Sequence, residues 1–315
     1  MVEDTPYVLV IGGANIDFIG LPNNPLIWHD SNPGIIKTGL GGVGRNIAEN
    51  LVRLGVPSKL LSLVGDDVYG NDLIEKSEQI GVDMSGVEKI DNQRTSTYFA
   101  VMNSDDDMAV AIADMGIIDL LTPARLKPFA ALIQKAALVV AETNLPAATL
   151  RFLLLAFPQT RFLVDPVSVS KAVKIKPLLP CIDTLKPNRL EAEYLTGIAI
   201  NNLDDARRAV DHLLAQGVKH VFISLGQQGL LCSYGNGHYH CPALPTRVVN
   251  ATGAGDAMLA SIAYGLINKL SPEELLLFAN AAAALTLMAA TTIAPDLSVS
   301  AIKQLLNNQE KQENQ

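Results

Sequence analysis

The chain has 315 residues, 49% of them hydrophobic, which is enough apolar side chain for a large buried core. Its formal net charge of −8 works against a nucleic-acid footprint, which needs a basic face, and against binding to anionic membrane surfaces. A small molecule is the simplest remaining partner. Three scattered cysteines, Cys181, Cys232 and Cys241, form no disulfide framework, and the acidic N-terminus carries no basic leader, so a cytoplasmic setting is expected.

In chain order, Val8–Gly12 reads as a buried strand. Gly13-Ala-Asn15-Ile-Asp17 follows, at the carboxyl end where open α/β sheets bind ligands. Asn15 and Asp17 alternate with apolar neighbours, so both can face one side, and a short carboxylate can accept two hydrogen bonds from a diol; an ordinary turn is the competing reading. Phe18–Thr38, with three prolines, reads as irregular. Gly41-Gly-Val-Gly-Arg-Asn46 enters a helix over Asn46–Leu54. Its paired glycines let a ligand approach the backbone, and Asn46 can give and take hydrogen bonds with a sugar hydroxyl. The G-x-G-x-x-G match starting at Gly39 lacks the strand that a dinucleotide site needs directly before it.

Lys59–Val64 is strand-like and Asp72–Gln79 helical. Ser96–Met102 and Met108–Ala113 read as a hairpin across the acidic turn Ser104–Asp107. With the irregular stretch they form an expected β-rich lid, about 18–38 and 96–113, outside the main layer. Leu138–Ala141 and Phe162–Val164 are strand-like around a helix at Ala147–Ala156. Strand-like Ile182–Leu185 leads into Lys186-Pro-Asn188-Arg-Leu-Glu191. Asn188 and Glu191 share a helix face, where they can hold the water shell of Mg²⁺ or serve as a capping box.

Asp204–Ala215 is helical and His220–Leu225 a strand. His238-Tyr-His240-Cys241, near Cys232, resembles a metal set, but its alternation after the Tyr234–Gly237 turn reads as a hairpin strand. Strand-like Arg247–Val249 then meets Asn250-Ala-Thr-Gly-Ala-Gly-Asp256, which opens a helix over Gly253–Leu266. A Gly-Ala-Gly turn at a helix start offers unpaired N–H groups at the positive end of the dipole, an anion site suited to a phosphate. Asp256, in the first turn, can take a proton from an attacking hydroxyl; simple helix capping is the alternative. The uncharged run Leu275–Ala294 is long enough to span a bilayer, but its alanines and Asn280 favour a buried helix, overlapping Glu273–Met288. From Asn307 the chain is polar and expected to fray. Strands alternating with helices argue for a parallel sheet covered on both faces.

In this order, and over nearly the whole chain, the motifs resemble the PfkB carbohydrate kinase family, also called ribokinase-like. Gly41–Asn46 resembles its N-terminal signature, Ala251-Thr-Gly-Ala-Gly-Asp256 its C-terminal signature, and Asn188-Arg-Leu-Glu191 its N-x-x-E motif; no Walker A lysine motif occurs. Asp30–Gly34, Val164–Ser168, Thr184–Ala192 and Pro295–Ser298 narrow the resemblance to members that phosphorylate the 5′-hydroxyl of a nucleoside. The resemblance implies a three-layer α/β/α fold over residues 1–306, with a mostly parallel central sheet, a small β lid that often mediates homodimers, and a polar tail over 307–315.

It also implies ATP and Mg²⁺ as cofactors, Asp256 as base, and Gly253, Ala254 and Gly255 as anion hole. Asn15, Asp17, Gly42 and Asn46 are implied to hold the ribose, and Ser31, Thr97 and Lys171 to meet the nucleoside base. The nucleotide is implied to contact Asn188, Ser224, Gly226, Thr252, Gly253, Gly255 and Asn280, with Glu191 and Asn188 organising Mg²⁺ through water. Asn250 stands where many members carry an Asp beside a monovalent-cation site, so K⁺ activation does not follow. The alternatives are a kinase for ribose or a purine nucleoside, or a binding protein that has lost catalysis. The intact Asp256 and glycine turn argue against the last.

Overall fold

The computed structural model describes residues 6–103, 108–235 and 237–313. Its strands, in chain order, are β1 (Val8–Ile11), β2 (Asn15–Pro22), β3 (Gly34–Gly41), β4 (Ser58–Gly65), β5 (Asp83–Ile90), β6 (Thr97–Met102) and β7 (Met108–Asp114). They continue with β8 (Leu138–Glu142), β9 (Phe162–Asp165), β10 (Thr184–Leu185), β11 (His220–Ser224), β12 (Leu230–Ser233) and β13 (His238–Cys241). Nine build the main sheet in the order β13-β12-β11-β10-β9-β8-β1-β4-β5, and four build a second sheet, β3-β2-β6-β7.

The main sheet is parallel from β11 to β5, with β12 and β13 antiparallel at one edge. Both of its faces are covered, which is why β1 is a continuous apolar run, VLVI, and not an alternating one. Leu9 and Ile11 join the core on one side while Val8 and Val10 join the core on the other. Each fully buried aliphatic side chain contributes roughly 1.5–3 kcal/mol. After β1 the chain pairs β4 on one flank and later β8 on the other. The carboxyl end of β1 is therefore a switch point, where a crevice opens for ligands.

The segments expected to form a lid build the four-stranded second sheet, more regular than the sequence suggests. Phe18–Thr38, read as irregular, contains most of β2 and β3, an antiparallel pair in register from Asn15↔Gly41 to Pro22↔Gly34. Neither strand alternates cleanly, because β3 is exposed on both faces at a sheet edge. The prolines sit at or beyond the hairpin end, Pro22, Pro25 and Pro33. The Ser96/Met108 pair is a hairpin as expected, β6 with β7; its turn at 104–107 lies outside the described residues.

Three other expectations change. Arg247–Val249 is not a strand: Val248 and Val249 are exposed, and Val249 N–H donates to Leu287 O at 2.7 Å. The helix read from Asn46 begins at Val43, with Gly42 as its N-cap. The Val299–Glu313 helix, anchored by buried Ile302 and by Leu305 and Leu306 against the core, runs on from residue 307 into the segment expected to be a polar tail. The apolar Pro272–Met288 helix lies buried against Ala254–Asn268, where Tyr264 and Phe278 stack 4.7 Å apart. Among the described residues no helix is long and apolar enough to cross a membrane. His238–Cys241 is a hairpin strand paired with β12, and no described group of three residues could hold a metal ion.

Candidate active site

Gly253 caps the Ala254–Asn268 helix in the left-handed region, φ 86°. A Cβ there would fall 1.8 Å from Thr292 O, so the position requires glycine both for its torsion and for its space. Ala254, Gly255 and Asp256 are the first three helical residues, whose N–H groups have no intrahelical partner. Asp256 is only partly exposed, and loss of hydration pushes its carboxyl up to about 7 despite the hydrogen bond from Asn46. Asn46 Nδ2 donates to Asp256 Oδ2 at 2.9 Å.

That bond joins the two glycine loops. Gly42 has φ 95°, and a Cβ on it would meet Ala14 Cα at 2.5 Å, so the loop after β1 nests directly against the start of the Val43–Arg53 helix. Arg45 N–H donates to Gly13 O at 3.1 Å, and Asn15 Nδ2 donates to Asp17 Oδ1 at 2.6 Å. Burial raises the Asp17 carboxyl, partly offset by that bond and by the Arg45 charge. Beneath the loop lies Glu142, fully buried at the end of β8. Its Oε1 accepts from Gly13 N–H and its Oε2 from Asn144 N–H, each at 2.6 Å. Lys171 Nζ donates to Asn144 Oδ1, which ties this lysine to the same edge of the crevice.

Charged groups from neighbouring strand ends converge beside Asp256. Asp165 closes β9 and Lys186 follows β10; Nζ of Lys186 lies 3.4 Å from Asp165 Oδ2, with both side chains nearly buried. Asp165 Oδ1 accepts from Val167 N–H at 2.7 Å. Val167 itself has φ 60°, a strained torsion for a β-branched residue. Lys186 Nζ is also 3.9 Å from where a Cβ on Gly255 would sit, so its ammonium looks at the helix start. Asn188 and Glu191 form a complete capping box: Asn188 N–H donates to Glu191 Oε2 at 2.8 Å and Glu191 N–H to Asn188 Oδ1 at 2.9 Å. The capping reading therefore holds. Burial raises the Glu191 carboxyl, and Asp165 adds repulsion. Three carboxylates, Asp165, Glu191 and Asp256, share this corner with one lysine. They make no direct three-ligand metal set, but a Mg²⁺ that keeps its own waters and phosphate ligands asks a protein for only one or two carboxylates, and this corner has them.

Next to this corner lies a cleft of about 690 Å³ lined by Asn188, Ser224, Gly226, Gly255 and Asn280, with Leu244, Met258 and Leu287 as apolar walls. Asn280 Nδ2 reaches Cys241 O at 3.1 Å and Pro242 O at 3.4 Å. Two carbonyls on one nitrogen fix the amide, leaving Oδ1 as the group Asn280 can offer a ligand.

The pattern of the pfkB family of carbohydrate kinases matches residues 5–298. This chain belongs to the pfkB family. It is 38% identical to pseudouridine kinase of Escherichia coli (strain K12) over 311 residues, 98% of this chain and 99% of that protein. A carbohydrate kinase from Agrobacterium tumefaciens superposes with a TM-score of 0.82 at 30% identity, covering 96% of this chain and 97% of the other. Arabidopsis thaliana ribokinase, solved with ribose and ATP, gives 0.83 at 25% identity, covering 96% and 99%. The fold is ribokinase-like, and the protein is a sugar or nucleoside kinase, a phosphotransferase of a family that uses ATP with Mg²⁺.

Against this pfkB frame, most expected positions come together. Asn46 bonds Asp256, Gly42 packs on Ala14 between Gly13 and Asn15, Asn15 bonds Asp17, and Asn188, Ser224, Gly226, Gly255 and Asn280 border the cleft. Thr252 is exposed beside them, its N–H donating to Asn250 Oδ1 at 2.9 Å. Two expected base contacts lie elsewhere. Ser31 is exposed in the loop at the far end of the β2–β3 hairpin, beyond Pro22. Seven residue steps along the strand separate Pro22 from Asn15, about 23 Å at the usual rise. Thr97 is in register with Ile16, so its side chain takes the lid face opposite Asn15 and Asp17; Tyr98, in register with Asp17, shares theirs. Lys186, Asp165 and Glu142 are the residues that the sequence reading missed. Lys186 and Asp165 stand inside quoted motifs. Asp165 and Glu142 close apolar strands, and a charged residue ending such a strand at the sheet's carboxyl edge is the signal that could have marked them.

Proposed function

We propose that the protein phosphorylates pseudouridine at its 5′-hydroxyl, using ATP. The observation that carries this is the Asn46–Asp256 contact, which brings the ribose motif against a raised-pKa carboxylate at a helix N-terminus. The choice of pseudouridine rests on the full-length similarity to the E. coli enzyme. Asp256 accepts the 5′-hydroxyl proton as that oxygen forms its bond to the γ-phosphorus and the bond to ADP breaks. N–H groups of the Gly253-Ala254-Gly255 turn and the Lys186 ammonium stabilise charge on the transferred phosphoryl. Asn15, Asp17, Gly42 and Asn46 hold the ribose. Lys171 serves a base carbonyl, and Tyr98 takes the place expected for Thr97. Asn188, Ser224, Gly226 and Asn280 border the nucleotide.

Glu191, with Asn188 behind it, would hold Mg²⁺ through water, and the bound ion would neutralise phosphate oxygens. A K⁺ requirement is not part of the proposal, because Asn250 is neutral. With Mg·ATP, ³¹P coupling to the C5′ protons is expected in the product, and excess EDTA should stop its formation. Phosphate on another oxygen, or turnover that persists in EDTA, would contradict this chemistry.

A homodimer through the lid is also proposed. Register puts Ile36, Phe99, Val110 and Ile112 on the face opposite Asp17, all exposed. Apolar groups gathered in this way suit a second copy. Sedimentation at micromolar concentration should give twice the chain mass, and a monomer there would refute the dimer.

A further inference from the structure

Arg45 is the third residue of the Val43–Arg53 helix, yet its side chain turns inward and is 2% exposed. Its Nη1 donates to Leu40 O at 3.1 Å and to Asn46 Oδ1 at 3.0 Å, and its Nη2 pairs with Glu49. Burial lowers its pKa to about 10, so it stays charged at neutral pH. Leu40 belongs to lid strand β3, and Asn46 donates in turn to Asp256. One buried cation thus joins a lid strand to the amide that touches the base.

The direction of these bonds matters. A guanidinium has donors only, so whichever end of the Asn46 amide faces Arg45 must be the oxygen. The NH₂ end is then committed toward Asp256. Were the amide turned over, Oδ1 would stand 2.9 Å from Asp256 Oδ2, acceptor against acceptor, and the carboxylate would swing away.

We propose that Arg45 is a positioning residue, which sets the Asn46 amide so that Asp256 is aimed at the substrate hydroxyl and ties that setting to the seating of lid strand β3. The inference rests on Asp256 as the base. Arg45 need not touch substrate: three of its contacts are already committed to Leu40, Asn46 and Glu49. Glu49 also meets Arg53 at 2.6 Å, but Arg53 is partly exposed, so without Arg45 the buried Glu49 carboxylate is only partly compensated.

The test is a double-mutant cycle on kcat, with pseudouridine and Mg·ATP saturating. Arg45→Gln is combined with Glu49→Gln, so that no buried charge is left unpaired, and the pair is compared with Asn46→Ala and with the triple variant. Arg45→Gln/Glu49→Gln should lower kcat about tenfold or more through loss of alignment, with KM for ATP unchanged. The triple variant should match Asn46→Ala within about twofold, because a relay that has already been cut cannot be cut again. Effects that multiply, or an unchanged kcat in the paired variant, would overturn the proposal. If the paired variant fails to fold, Arg45→Lys keeps the charge and loses the planar fork. It should show the same kcat loss and the same silence in an Asn46→Ala background, and wild-type kcat there would overturn the proposal equally. Turnover surviving in Asp256→Asn would instead sink the base assignment beneath it.

Discussion

Asp256→Asn should lower kcat about a thousandfold while leaving substrate and ATP binding within a few-fold, because the amide keeps the shape but cannot take the proton. The carboxylate sits in the first turn of its helix, accepts from Asn46, and titrates near 7 because its surroundings strip water from the charged form. A base must be ionised, so kcat/KM of the native enzyme should rise with pH through about 7, and that limb should vanish in the variant. Stability gives an independent reading. Between its ordinary value of 3.8 and about 7, Asp256 holds more proton folded than unfolded, so its ionisation erodes stability as pH rises. The Asn variant lacks that slope and should melt no lower than the native protein at neutral pH. A loss in kcat of less than about tenfold would remove Asp256 from the role of base.

Gly253→Ala should be nearly as damaging, for a different reason. The new Cβ would lie 1.8 Å from Thr292 O, and the φ of 86° is one that an L side chain resists. Relieving both turns the following N–H groups away from the phosphoryl, a loss of about 10²–10³ in kcat for a misplaced oxyanion donor. The strained turn should also lower stability by roughly 1–3 kcal/mol. Gly255→Ala is the control. The nearest side-chain atom to its Cβ position is Lys186 Nζ at 3.9 Å, so the protein has room for the methyl. That variant should melt like the native enzyme and lose activity only by crowding the phosphate. Equal melting for all three proteins, with full activity in Gly253→Ala, would show that the turn needs no glycine.

Much of the site can be read along the chain, because its parts are contiguous. A glycine turn, a helix start and an acid in the first turn are local features, and Asn250–Asp256 displays all three. Asn188 and Glu191 could be placed on one helix face by spacing alone, and the capping box they form was among the readings. Lys186, Asp165 and Glu142 were harder, because each is one charged residue beside a buried strand and gains its meaning from a partner on another strand end. Strands β2 and β3 escaped notice since alternation signals a face buried on one side, and β3 is exposed on both. Thr97 shows the limit of strand reading: a shift of one residue exchanges the faces, and only pairing with β2 reveals that Tyr98 is the residue beside Asp17.

The central claim concerns the acceptor. Pseudouridine and uridine share a ribose, so Asn15, Asp17 and Asn46 cannot separate them. At the base edge beside the glycosidic bond, pseudouridine offers an N–H where uridine has a carbon. An acceptor left unpaired there costs about 1–3 kcal/mol, and sites built around such a bond discriminate strongly. Free ribose forfeits every base contact. The deciding measurement is kcat/KM for the three substrates under identical Mg·ATP. The account predicts pseudouridine ahead of uridine by about tenfold or more, with ribose behind both. Uridine or ribose equal to or better than pseudouridine would contradict it and leave a kinase for some other ribosyl alcohol.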